Sequence, residues 1–189
     1  MLRGGAGGLR ANGVECIESF RRETALPIIG ILKRYLHGEV AITPDFASAA
    51  AVSTAGADVI ALDCSSRRLK AHEPWPGLIA RIHEELGKPV LADIATFDEA
   101  AAAEEAGADA VATTMYGFTA ETAQFRSVNW ELVEQLVARL RVPVIVEGHI
   151  SQPEEVKRAL DYGAYAVVVG SAITRPESIT ARFVKSIQG

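Results

Sequence analysis

Short apolar runs alternate with longer segments of helical pattern along nearly the whole chain. The runs cover residues 28–32, 59–62, 90–92, 110–113, 144–146 and 166–169, with a weaker one at 7–9. Each is too short for a helix and reads as continuously apolar, the pattern of a strand buried on both faces. Thr96-x-x-Glu99, Ser151-x-x-Glu154 and Thr174-x-x-Glu177 match the capping box, in which a hydroxyl and a carboxylate satisfy orphan N–H groups. Asn12 and Thr43 are candidate caps for two more helices, with Pro44 at a first-turn position. Gly56, Gly107 and Gly163 stand where helices should stop, as left-handed C-terminal caps. Strand–helix units joined by short connections predict a parallel sheet covered by helices.

The runs fall into two alternating kinds. One follows Gly-Ala, at Gly56, Gly107 and Gly163, with Gly5-Ala6 a plausible fourth; the other opens with Pro, at Pro27, Pro89 and Pro143. Gly5, Gly56, Gly107 and Gly163 lie 51, 51 and 56 residues apart, a repeat of two βα units. Four strands of one kind and three of the other make seven, whereas a closed (β/α)8 barrel needs eight. The expectation is one domain over residues 1–189, a TIM barrel of the phosphate-binding type cut to about seven βα units. It would hold strands 2–8 of the barrel, with a Pro-type first strand and its helix absent before residue 1.

Composition fits this outline. Hydrophobic residues make up 49% and aromatics 6%, so the apolar content is mostly the small and branched aliphatics of buried strands and packed helices. A net charge of −5 argues against nucleic acid or a membrane surface as partner. Cys16 and Cys64 are far apart and lack metal spacing, and no signal peptide or membrane-length run is present, so the expected location is the cytoplasm.

Active sites of such barrels lie at the C-terminal ends of the strands. Those ends carry Arg10, Lys33, Asp63, Asp93, Thr113 with Thr114, Glu147, and Gly170 with Ser171. Lys33 closes an apolar run abruptly, and Asp93 and Glu147 do the same; Asp63 reads equally well as a turn residue. Gly170-Ser171 on the last strand and Glu147-Gly148 on the one before match the place where barrels bind phosphate. Arg175, and Arg10 across the rim, could add forked contacts to an anion. The connection over 115–128 is the longest and could serve as a lid or be surface slack. Of His37, His72, His83 and His149 only the last stands just past a strand end, and no metal set is expected.

Taken together, Gly8-Leu-Arg-Ala, Pro27-Ile-Ile-Gly-Ile-Leu-Lys-Arg, Ala92-Asp-Ile-Ala-Thr, Thr113-Thr-Met-Tyr-Gly-Phe-Thr, Val146-Glu-Gly and Gly170-Ser-Ala-Ile-Thr-Arg-Pro resemble the N-acetylmannosamine-6-phosphate 2-epimerases. The resemblance runs across the whole chain. It implies cofactor-independent epimerisation at C2 of a small sugar phosphate, N-acetylmannosamine 6-phosphate, in sialic-acid and amino-sugar breakdown. It implies catalytic roles for Lys33 and Glu147 and substrate contacts from Arg10, Asp93 and Arg175; Thr114 is a further substrate contact, and Gly148, Gly170 and Ser171 hold the phosphate. It also implies a homo-oligomer, expected as a dimer. The family's first strand, ending in a ligand-contacting Gln, has no counterpart here, and Ser65-Ser66-Arg67-Arg68 departs from the usual wording. Burial would make Lys33 a base, whereas nearby carboxylates would favour it as a proton donor, so its direction of transfer stays open. A metal-dependent pentose-phosphate epimerase fits poorly, and a related decarboxylase would need Asp-x-Lys-x-x-Asp on one strand, whereas Lys33 and Asp93 are on separate strands. The non-enzymatic alternative is an inactive or merely sugar-phosphate-binding barrel.

Overall fold

Seven of the strands join one parallel sheet. In the computed structural model, which describes residues 1–36, 38–68 and 73–187 apart from the side chains of Leu36 and Glu39, the chain opens with β1 (Leu9–Asn12), α1 (Val14–Glu23) and β2 (Ile28–Ile31). A hairpin of β3 (Lys33–Leu36) and β4 (Glu39–Ile42) precedes α2 (Phe46–Thr54), β5 (Val59–Asp63) and α3 (Trp75–Arg81), which runs on into a π-helical turn, Ile82–Leu86. Then follow β6 (Val90–Asp93), α4 (Phe97–Glu105), β7 (Ala110–Ala112), α5 (Trp130–Arg139), β8 (Val144–Glu147), α6 (Pro153–Asp161), β9 (Ala166–Val168), α7 (Ser171–Thr174) and α8 (Pro176–Ser186). The sheet order is β1-β2-β5-β6-β7-β8-β9, every neighbouring pair parallel. The sheet curls so far that Arg10 on β1 reaches Glu147 on β8, which makes it a nearly closed barrel.

The two-residue period of a strand sorts its side chains between two cores. Leu9, Ile28, Ile60, Leu62, Val90, Ala92, Val111 and Val144 point outward and pack with helix residues such as Ile17, Val52, Leu78, Ala103 and Leu136. Their alternates, among them Ile31, Ala61, Leu91, Ala112 and Ile145, fill the barrel interior. The same parity turns Arg10, Asp63, Asp93 and Glu147 inward above that apolar layer.

Helix signals met the structure unevenly. The Thr96–Glu99 capping box forms as expected, and Gly56, Gly107 and Gly163 have φ of 107°, 94° and 96° just past their helices. The second box is shifted by one residue, to Gln152 and Glu155, because the Ser151 N–H and hydroxyl both donate to Glu155 instead. Thr174 does not cap α8; its hydroxyl donates to the Gly170 carbonyl inside α7. Asn12 does not cap α1, whose cap is Gly13. Thr43 does not cap α2 either. Asp45 does, accepting from Ser48 N–H at 2.7 Å, while Thr43 is buried with its hydroxyl accepting from Leu32 N–H. The cause of that shift is the hairpin, which was not expected: its strands take up residues 33–42 and return the chain to Leu32 through the Thr43 N–H bond.

Gly30 is a point of close approach between β2 and the layer outside the barrel. A Cβ there would lie 2.6 Å from Ala57 Cβ and 3.1 Å from Ile17 Cδ1. Overpacking of this kind costs about 1–3 kcal/mol. Gly30→Ala is therefore expected to lower the denaturant midpoint without changing the slope; an unchanged midpoint would refute the close approach.

Candidate active site

The inward-facing polar residues converge on Arg10. Its Nη1 and Nη2 donate to the two oxygens of Asp93 at 2.9 and 2.5 Å, a bidentate fork. Nη1 also donates to Glu147 Oε2 at 2.7 Å and lies 3.4 Å from Thr114 Oγ1. The Thr114 hydroxyl donates to Asp93 Oδ1 at 2.7 Å. The Asp93 side chain is fully buried and that of Arg10 is 7% exposed, so these groups form one desolvated cluster from β1, β6, the turn after β7, and β8. Arg10 lies within β1 rather than at its end, because the strand begins at Leu9, later than its apolar run suggested.

Burial governs the proton affinities here. It works against the charge of Arg10, but Asp93 and Glu147 more than offset it and hold the guanidinium protonated above the ordinary arginine value. Burial pushes the Glu147 carboxyl up; Asp93 adds to this, while Arg10, Thr114 and Lys33 pull the other way. Asp63 is likewise pushed up by burial, although Ser65 donates to its Oδ1 through both N–H and hydroxyl, at 2.9 and 2.6 Å. Asp63 thus stands opposite Asp93 in the sheet register and also makes the turn that the Ser-Ser sequence suggested.

Lys33 is placed on the same rim but on a different element. It opens the hairpin instead of ending the barrel strand, and it is exposed. Its backbone N–H donates to Asn12 Oδ1 at 2.8 Å, and its charge acts on Glu147. Gly148, with φ of 94°, turns the chain sharply after Glu147. Gly170 and Ser171 open α7 beyond β9, whose Val168 is paired with Glu147, so the three candidate phosphate residues follow adjacent strand ends. A Cβ at Gly170 would meet nothing within 4 Å. Arg175 sits exposed between α7 and α8, away from the Arg10 cluster in the interior.

The connection over 115–128 is internally tied. Thr119 and Thr122 are buried with their hydroxyls 2.8 Å apart, Gly117 N–H donates to Thr122, and Tyr116 stacks on Phe125. His149, at φ 59°, donates from Nε2 to the Tyr116 carbonyl at 3.0 Å and stacks on Phe118, which makes it a rim residue. His83 pairs with Asp109 on the helix layer; His37 and His72 lie outside the described residues. Asn12, read as a helix cap, is the residue at the site that sequence reasoning missed; Thr113 was named among the polar strand ends but given no role.

A family model described as "Putative N-acetylmannosamine-6-phosphate epimerase" matches residues 1–189. A relative from Clostridium perfringens (strain 13 / Type A), named "Putative N-acetylmannosamine-6-phosphate 2-epimerase", is 45% identical over 96% of this chain and 82% of its own. One of the same name from Clostridioides difficile (strain 630) is 43% identical over 99% and 84%. The solved structure of the N-acetylmannosamine-6-phosphate 2-epimerase from Clostridium perfringens superposes with a TM-score of 0.92 at 43% identity, over 98% of this chain and 81% of that one. A thiamine phosphate pyrophosphorylase from Pyrococcus furiosus, 18% identical with a TM-score of 0.62, shares the fold alone.

Because the folded Glu147 holds its proton more tightly than an unfolded glutamate, its sign in stability is fixed. Below the usual glutamate value of 4.5 both states are protonated. As pH rises through that value the unfolded chain ionises first, and the folded state loses about 1.4 kcal/mol for each pH unit until Glu147 ionises as well. The denaturant midpoint of Glu147→Gln, measured relative to the wild type, should therefore move in the variant's favour as pH rises from about 4, whatever the baseline cost of losing the bond to Arg10. A difference independent of pH would refute the raised value.

Proposed function

The chain belongs to the N-acetylmannosamine-6-phosphate epimerase family, and on that premise we propose that it interconverts N-acetylmannosamine 6-phosphate and N-acetylglucosamine 6-phosphate by moving the proton at C2. The observation that carries this reading is the buried Arg10–Asp93–Glu147 cluster with Lys33 on the same rim. The C2 proton is acidic only when C1 is a free aldehyde, so the reacting form is the open-chain sugar. One group removes the proton, an enolate with its charge on the C1 oxygen forms, and a proton returns to C2 on the opposite face.

Glu147 suits both halves of that exchange. Its raised value brings it towards the working pH, where a carboxyl can take a proton and give it back. Arg10 lies against Glu147 and is held charged, so it offers a fixed positive group to the developing oxyanion without reorganisation. Asp93 and Thr114 orient that guanidinium and line the sugar site. Lys33, exposed and acting on Glu147, is assigned to the opposite face as proton donor. Gly148, Gly170 and Ser171 take the 6-phosphate through the loops after β8 and β9, and Arg175 adds a cation from the start of α8.

The reaction belongs to amino-sugar and sialic-acid breakdown and takes place in the cytoplasm; Cys16 and Cys64 are both unpaired, as a reducing compartment requires. No described helix is long and apolar enough to cross a membrane. The protein acts as a homodimer. Ile173, Phe183, Val184 and Ile187 on the last helical segments are all exposed, an apolar surface that a second copy would cover. Sedimentation is expected to return twice the 20.1 kDa chain mass; a monomer at all concentrations would refute the dimer.

Incubation with N-acetylmannosamine 6-phosphate in D2O is expected to place deuterium at C2 of both sugars. Lys33→Met and Glu147→Gln should each slow the exchange by about 10²-fold or more. Saturable binding without exchange would establish the binding-protein alternative, and a Lys33→Met enzyme of near-normal turnover would remove Lys33 from the mechanism.

A further inference from the structure

We propose that Thr113 is the positioning residue for Glu147, its hydroxyl standing in for the ladder rung that is lost where β7 ends. The proposal rests on the assignment of Glu147 to proton transfer. β7 and β8 pair at Val111–Val144 and Ala112–Ile145. One step further, β7 gives way to a 3-10 turn, Thr113–Met115, whose backbone bonds go elsewhere: Met115 N–H to the Ile94 carbonyl and Tyr116 N–H to the Thr113 carbonyl. In a parallel sheet the N–H and C=O of one residue face the same neighbour. The end of β7 therefore leaves two backbone groups of Glu147 without a strand opposite them.

One side chain answers both. The Glu147 N–H donates to Thr113 Oγ1 at 3.0 Å, and the Thr113 hydroxyl donates back to the Glu147 carbonyl at 2.8 Å. A hydroxyl can accept and donate at once, and the β-branched threonine has few rotamers to lose. Thr113 is 6% exposed, so water does not compete freely for these bonds. On its other side Glu147 is in register with Val168 of β9, and directly after it the chain swings away at Gly148. The rotation of this strand end, and with it the aim of the Glu147 carboxylate at Arg10 and the substrate, is thus set by Thr113. Its neighbour Thr114 acts on the side chains of the same cluster, so the consecutive threonines divide the work between backbone and side chain.

Thr113→Val keeps the shape and removes both bonds. A carboxylate misplaced by about 1 Å loses about 10²-fold in rate, so kcat for C2 exchange should fall by about that factor. KM should stay within a factor of about two, because substrate binding is left in place. The limb of the pH–rate profile that belongs to Glu147 should move as well. Thr113→Ser keeps the hydroxyl and should recover most of the rate. Where Thr113→Val does not fold, as judged by its denaturant midpoint, Thr113→Ala removes the hydroxyl without filling its place. Wild-type kcat in Thr113→Val alongside an inactive Glu147→Gln would overturn the proposal, and so would equal losses in Thr113→Val and Thr113→Ser. Full exchange by Glu147→Gln would instead overturn the assignment of Glu147 itself, and the positioning role would fall with it.

Discussion

A guanidinium buried between two carboxylates is the constraint on which the barrel mouth depends. Each of Arg10, Asp93 and Glu147 alone would be expensive to hold away from water, and removing one partner of such a buried set costs about 3–5 kcal/mol. Together they satisfy one another through the forked Arg10–Asp93 pair and the single bond to Glu147. The cluster also ties three strands that are not neighbours, β1, β6 and β8, across the top of the interior layer formed by Leu91, Ala112 and Ile145. Chemistry and curvature are thus linked on the proposed assignment, in which the residues of this cluster serve the substrate and also span the sheet.

Strand parity explains why the cluster falls where it does. In a strand buried on both faces, alternate residues serve the helix layer and the interior, and hydrophobicity alone does not separate them. Polar residues at the strand ends reveal the inward set: Asp93 continues the parity of Leu91, Glu147 that of Ile145, and Asp63 that of Ala61. Outward positions instead meet helices, and at Gly30 the meeting with Ala57 and Ile17 leaves no room for a side chain.

Much of this was legible in the sequence. The apolar runs located six of the seven sheet strands to within a residue and placed β1 two to three residues early, and the strand-end reading named Arg10, Asp93, Thr114 and Glu147. The hairpin at residues 33–42 was not legible, since Lys33-Arg34-Tyr35 has no apolar alternation. Missing it misplaced both Lys33, read as the end of β2, and the cap of α2, read as Thr43 rather than Asp45. The cap signals that failed share a cause. Asn12, Ser151 and Thr174 all carry short polar side chains with several backbone groups in reach, and tertiary position decides among them.

Lys33 stands at the root of a two-stranded hairpin, whereas Glu147 stands on a strand paired on both sides. The hairpin is anchored through the buried Ala41 and Ile42, but Tyr35 and Val40 are exposed and the Lys33 side chain stands in solvent. Bringing Lys33 to its working geometry therefore costs conformational entropy that Glu147 has already surrendered in folding. On the proposed assignment, the two faces of C2 are served by groups with different activation entropies. Temperature then acts on the two proton transfers unequally, and the transfer that draws on Lys33 carries the larger entropic share of its barrier.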